Sequence, residues 1–257
     1  RVLAHGNTMH GAQRIRDANG QALSGLPEPL TYYYFGGPMS EGIEAVRERL
    51  GGKLGPVAAI GLGSGSLACH RRDGENWSFY EIDRDVVRIA KDPKRFSFLS
   101  SCAPDMPIIL GDGRLTLADA PDGHFDLIVV DAFSSDAIPV HLLTVEALDL
   151  YKRKLSQGGG IVLHLSNRNL ELVSVAAATA REAGLSAVAN DPYANAERRA
   201  DPFKSLSQVV MVARQPDDLA PLLKRSGWSP AEIDPKVAAW SDDYSGVLGA
   251  LIRKMGW

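Results

Sequence analysis

The stretch that most constrains this chain is Val57-Ala58-Ala59-Ile60, followed at once by Gly61-Leu62-Gly63-Ser64-Gly65 and the helix-compatible Ser66 to Arg71. A short apolar strand that runs through a glycine turn into a helix is the opening unit of a parallel α/β sheet. Glycines let the backbone turn tightly and approach a ligand, and a helix start presents free N–H groups there. The alternation continues. Ser78 to Ile82, Ile108 to Leu110, Phe125 to Val130, Ile161 to Leu165, Leu185 to Ala189 and Gln208 to Ala213 read as strands. Glu41 to Leu50, Val86 to Lys91, Leu142 to Leu155 and Val173 to Ala183 read as helices, and Gly158 to Gly160 as a turn into a strand. Right-handed crossovers then put helices on both faces of a mostly parallel, doubly wound sheet, so the expected class is α/β. Residues 1 to 40 read as a small N-terminal β element, 41 to 215 as the central α/β unit, and 216 to 257 as an extension with one helix near Leu219 to Arg225.

Charge and composition exclude several functions. Lys and Arg number 28 against 31 Asp and Glu, a net charge of −3 that offers no general field for nucleic acid. Hydrophobic residues at 45% suit a packed core, yet the longest apolar runs are only of strand length, so no membrane span is expected. Two cysteines, Cys69 and Cys102, cannot build a disulfide framework and lack zinc-site spacing, so reducing conditions are the default expectation. The histidines at 5, 10, 70, 124, 141 and 164 show no ligand spacing, and no metal is assigned. The start at Arg1, without Met or a signal-like segment, suggests a chain cut from a longer polypeptide.

Polar residues gather at the strand ends, where α/β sheets bind ligands. Glu81 ends the second strand, about 20 residues past the glycine turn, where a carboxylate accepts both hydroxyls of a ribose; a solvated strand-end acid leaves the same trace. Gly111-Asp112-Gly113 places a carboxylate and a backbone N–H near an adenine edge, or makes Asp112 the cap of a following helix. The glycine turn lacks the later glycine of the dinucleotide fingerprint, which disfavours a nicotinamide cofactor. Asp131 ends the most apolar strand, where an acid is costly to desolvate unless paired or used. Asp136 lies five positions on, as a proton acceptor for an amine or as a cap for the next helix.

Together, Gly61 to Gly65, Tyr80-Glu81-Ile82-Asp83, Gly111 to Gly113 and the Asp131 to Pro139 loop resemble the spermidine synthase (polyamine aminopropyltransferase) family. The phrases His5 to Gln13 and Asp131 to Thr144 look like its bacterial spermidine synthase-like branch, sometimes fused to a membrane segment. The resemblance runs from Arg1 to Asn169, with a looser echo at Trp240 to Tyr244. It implies a methyltransferase-like Rossmann fold and aminopropyl transfer from decarboxylated S-adenosylmethionine to a polyamine such as putrescine, releasing methylthioadenosine. By position, Gly61, Gly63, Ser64, Gly65, Glu81, Asp112 and Gly113 would hold the nucleoside. Asp136 would be the base with Asp131 its partner, and Gln13, Tyr33, Tyr34, Asp131, Asp242, Asp243 and Tyr244 would line the amine pocket. The resemblance also allows a homodimer, and it implies a cytoplasmic location, free or as the cytoplasmic domain of a membrane-anchored protein.

Three positions depart from the family pattern. Ser64 stands where the family has an acid, Ala132-Phe133 widen the gap between the loop acids, and His10 replaces the acid of an Asp-Gly pair. An S-adenosylmethionine-dependent methyltransferase, and a non-catalytic nucleoside- or polyamine-binding domain, are the alternatives these residues leave open.

Overall fold

The computed structural model describes residues 1–6, 8–132, 139–194 and 201–256. An N-terminal hairpin, β1 (Val2–His5) and β2 (Thr8–Ala12), precedes α1 (Pro38–Arg49), whose first-turn proline needs no N–H partner. The glycine turn joins β3 (Pro56–Ile60) to a 3-10 turn at Ser66–His70. Then come β4 (Asn76–Glu81), α2 (Arg84–Lys91), α3 (Phe98–Cys102), β5 (Ile108–Leu110), α4 (Gly113–Ala118) and β6 (Phe125–Val130). The second half carries α5 (Val145–Lys154), β7 (Leu155–His164), α6 (Val173–Glu182), β8 (Ser186–Asn190) and β9 (Val209–Ala213). It closes with α7 (Ala220–Leu223), β10 (Trp228–Pro230) and α8 (Val247–Lys254).

Eight strands form one sheet in the order β10-β8-β9-β7-β6-β3-β4-β5. From β7 to β5 all neighbours are parallel, while β9 runs antiparallel to β7 and β8 and β10 antiparallel to β8. The chain builds outward from β3 to β5, then returns to lay β6 on the other side of β3. Between β3 and β6 the order reverses, and the crevice beyond their carboxyl ends is where such sheets bind ligands. Strand alternation feeds two cores: Val57 and Ala59 of β3 pack on one face, Ala58 and Ile60 on the other. Helices covering both faces explain why these strands read as apolar runs.

The observed elements differ from the expected ones where local packing overrides the sequence pattern. Ser66 to Arg71 makes only the 3-10 turn, ended by extended backbone at Arg71. The helix expected from Leu142 is broken, because the Thr144 side chain accepts the Ala147 N–H and starts α5 afresh. Gly158 to Gly160 lie inside β7, which already begins at Leu155. A Cβ at Gly159 would meet the Asp126 carbonyl oxygen at 2.8 Å, so glycine there serves close strand approach. After residue 216, β10 joins the sheet beside β8 and α8 adds a second helix.

The expectation of reduced, unpaired cysteines is corrected. The fold brings the 3-10 turn against the end of α3, and Cys69 and Cys102 form a disulfide with Cα atoms 4.9 Å apart. Neither partner is predictable from the other, since 33 residues separate them and only packing sets their distance. A crosslink of this span restricts the unfolded chain, so reduction, or the Cys69→Ala/Cys102→Ala pair, is expected to cost about 2–4 kcal/mol. Thermal melts with and without a dithiol measure it, and superimposable curves would refute it. Among the described residues no helix is long and apolar enough to cross a membrane.

Candidate active site

The carboxyl ends of β3, β4 and β6 open onto a cleft of about 320 Å³, a size suited to a nucleoside-scale ligand. Gly61 and Gly63 form its floor with left-handed backbone, φ +97° and +53°, and Gly63 packs beneath the His10 carbonyl of β2. The Gly61 N–H donates to the Tyr80 carbonyl, and the Asp131 N–H to that of Ile60, so β4 and β6 are locked to the turn. Ile60, Leu62, Ile82, Val86 and Leu142 supply apolar walls, which accounts for the exposure of Ile82.

Glu81 is buried and its carboxylate is fixed from both sides: Oε2 accepts the Leu62 N–H at 2.9 Å and Oε1 the Asp83 N–H at 2.8 Å. Each oxygen keeps a lone pair for the cleft. Asp112 caps α4 through Oδ1 at 3.0 Å from the Leu115 N–H, while Oδ2 pairs with His141 Nε2 at 2.8 Å. Burial opposes ionisation of Asp112, yet the Leu115 N–H and His141 together hold its carboxyl below the usual range. Gly113 follows against Ile60, where a Cβ would come within 2.4 Å of the isoleucine side chain.

Asp131 faces the cleft from the end of β6, its side chain almost wholly buried. Oδ2 accepts the Tyr33 hydroxyl, and Oδ1 pairs with His164 Nδ1 at 2.7 Å. Burial, followed by the negative Asp131, pushes both Tyr32 and Tyr33 well above the ordinary tyrosine range, so both rings stay protonated donors. Thr31, directly before the tyrosines, has a φ of 60°, which is costly for a β-branched residue. Backbone bonds from Thr31 to Phe203 at 2.7 Å and from Ser205 to Thr31 at 3.1 Å hold it there.

Several residues expected at the site lie elsewhere. Gln13 spends its amide on Ser97, donating to Oγ at 2.7 Å and accepting the backbone N–H at 2.9 Å. Tyr34 lines a separate small cleft, with Lys204 over its ring at 5.4 Å. Ser64 and Gly65 sit behind the turn. Ser64 is fully buried, bonded to Ser66 Oγ at 2.8 Å, and a Cβ at Gly11 would fall 2.0 Å from its hydroxyl. The hairpin backbone thus leaves no room there for a longer acid. Asp242, Asp243 and Tyr244 line an adjoining groove that shares Asp112 and His141 with the cleft. Asp242 is engaged by Arg114, both Nη atoms at 2.7 Å, and by the Thr144 hydroxyl at 2.8 Å. Asp136 falls outside the described residues, and Trp257 likewise. In the sequence His164 reads as a polar pocket liner or a satisfied core histidine, and Arg114 carries no signal; no spacing in the chain flags either.

His70 links this region to acid sensitivity. Its Nε2 bonds the Tyr33 carbonyl at 2.7 Å, and burial, aided by the charge of Arg47 and opposed by that bond, lowers its pKa to about 4. The unfolded chain therefore takes up the proton first. Stability is complete above about pH 6.5 and falls towards pH 4 by on the order of 3 kcal/mol. Denaturant melts across that range test it, and His70→Gln is expected to flatten the slope; an unchanged slope would remove His70 as the cause.

The strand order and the cleft at its reversal define a methyltransferase-like Rossmann fold. Solved structures that share it include two spermidine synthases. One is a probable spermidine synthase from Corynebacterium glutamicum, with a TM-score of 0.60, 19% identity, and 81% of this chain and 80% of that one covered. The other is spermidine synthase from Thermotoga maritima, with a TM-score of 0.51, 14% identity, and coverage of 82% and 72%. At identity this low the likeness shows the shared fold alone. No family model and no curated protein matches the sequence.

Proposed function

We propose that this chain is a spermidine synthase-like aminopropyltransferase that moves an aminopropyl group from decarboxylated S-adenosylmethionine to a polyamine such as putrescine. The observation that carries the reading is the charge of the cleft. Glu81, Asp83, Asp112 and Asp131 line it, and no Lys or Arg does so among the described residues. Such a lining repels phosphates and attracts cations, and both a sulfonium donor and a diamine are cations. In this reading Glu81 accepts the ribose hydroxyls, Asp112 and the Gly113 N–H meet the adenine edge, and Asp131 with Asp136 receives the amine. One amine nitrogen yields its proton to a carboxylate and forms the new C–N bond. The C–S bond breaks with its electron pair going to sulfur, and methylthioadenosine leaves neutral. Positioning is then the main lever, because the leaving group needs no acid.

Ser64 favours a second reading, an S-adenosylmethionine-dependent methyltransferase, since no carboxylate at that position meets an aminopropyl ammonium. Calorimetric titration with decarboxylated S-adenosylmethionine, S-adenosylmethionine and methylthioadenosine, followed by mass spectrometry of putrescine incubations, separates the two. Methylthioadenosine and a spermidine mass are expected. A methylated product would establish the second reading, and binding without product a non-catalytic domain. Asp136→Asn is expected to leave nucleoside binding intact and stop transfer.

A further inference from the structure

Behind Asp131 lies a chain of polar groups that the proposed transfer does not itself use. Asp131 directly follows β6 and His164 is the last residue of β7, neighbouring parallel strands, and their paired side chains are only 2% and 3% exposed. His164 Nδ1 lies 2.7 Å from Asp131 Oδ1, and its Nε2 lies 2.8 Å from Ser166 Oγ. Ser166 Oγ also accepts the N–H of Gln208, the residue before β9, at 2.9 Å. The Tyr32 ring stacks on the imidazole with centroids 4.0 Å apart.

Counting donors decides the arrangement. A carboxylate accepts only, so the proton of the Asp131 bond belongs to Nδ1. Ser166, anchored by the Gln208 N–H, holds the far nitrogen of the ring in place. We infer that His164 is a positioning residue: Ser166 anchors the ring, and the Nδ1–H in turn orients the Asp131 carboxylate towards a cation in the cleft. Tyr33, which lines the cleft beside Asp131, holds the other oxygen, so the carboxylate is gripped at both ends. The identity of that cation as an amine rests on the proposed function; the Nδ1 proton and the orientation do not.

The test has two arms. In protein carrying 15N-labelled histidine, assigned through His164→Asn, the His164 signal is expected to show a protonated Nδ1. An unprotonated Nδ1 would overturn the inference. In calorimetric titrations, His164→Ala is expected to weaken putrescine binding about tenfold or more, the loss of one hydrogen bond to a charged group. Methylthioadenosine affinity stays within about twofold, because Glu81 and Asp112 are untouched. His164→Asn, which keeps a donor near Nδ1, restores most of the putrescine affinity. Equal losses in both variants, or parallel loss of methylthioadenosine, would reduce His164 to a structural residue. A wild-type protein that ignores putrescine would sink the amine reading, while the nitrogen spectrum still judges His164.

Discussion

Replacing Glu81 by Ala is expected to abolish nucleoside binding, with methylthioadenosine affinity falling about 100-fold or more. Two losses combine. The carboxylate that would accept the ribose hydroxyls disappears, and hydrogen bonds to a charged group contribute about 1.5–3 kcal/mol each. The Leu62 and Asp83 N–H groups that it now satisfies are also left without an acceptor, so the glycine turn loses its tie to the end of β4. Stability should fall by about 1–3 kcal/mol for each N–H that water does not reach. Glu81→Gln separates the contributions, since one carbonyl oxygen still serves one N–H while the amide nitrogen faces the other. Titration calorimetry reads the affinity and a thermal melt the stability. An Ala variant that binds methylthioadenosine like wild type would remove Glu81 from the site and the cleft from its proposed role.

Gly61→Ala has the second large expected effect, and it acts on the scaffold. Gly61 has a φ of +97°, and a Cβ there would lie 2.1 Å from the Asp131 carbonyl oxygen and 2.8 Å from its carbon. Rotamers offer no escape, because the clash is with backbone that directly follows the adjacent strand β6, at the point where the sheet order reverses. Left-handed strain of about 1–2 kcal/mol adds to overpacking of about 1–3 kcal/mol, so the variant is expected to melt about 10 °C lower or to fail to fold. Gly123→Ala is the control: φ is +68° there, yet nothing lies within 4 Å of the new Cβ. Only the conformational cost of about 1 kcal/mol applies. Equal losses in the two variants would show that close approach at Gly61 is not what glycine serves.

The alternation of strands and helices was legible because the central parallel strands are buried on both faces and spell apolar runs, as Leu127 to Val130 does. Gly61, Glu81, Asp112 and Asp131 were legible as strand-end residues, and in the structure they line one cleft. Other positions depended on contacts between segments far apart in the chain. Gln13 carries an amide suited to a pocket, and it meets Ser97 instead. Asp242 looks like a free acid until Arg114, 128 residues earlier, grips it. Ser64 reads as a missing acid, and its burial beneath Gly11 supplies the steric reason.

By itself the sequence determined the sheet class, the glycine turn and the set of strand-end carboxylates, because local periodicity and turn chemistry depend on neighbours in the chain. Only the tertiary structure decided that Cys69 pairs with Cys102, that β10 extends the sheet, and that Asp131 is held between Tyr33 and His164. These outcomes rest on distances between segments brought together by burial of two apolar faces, and such distances have no local pattern to announce them.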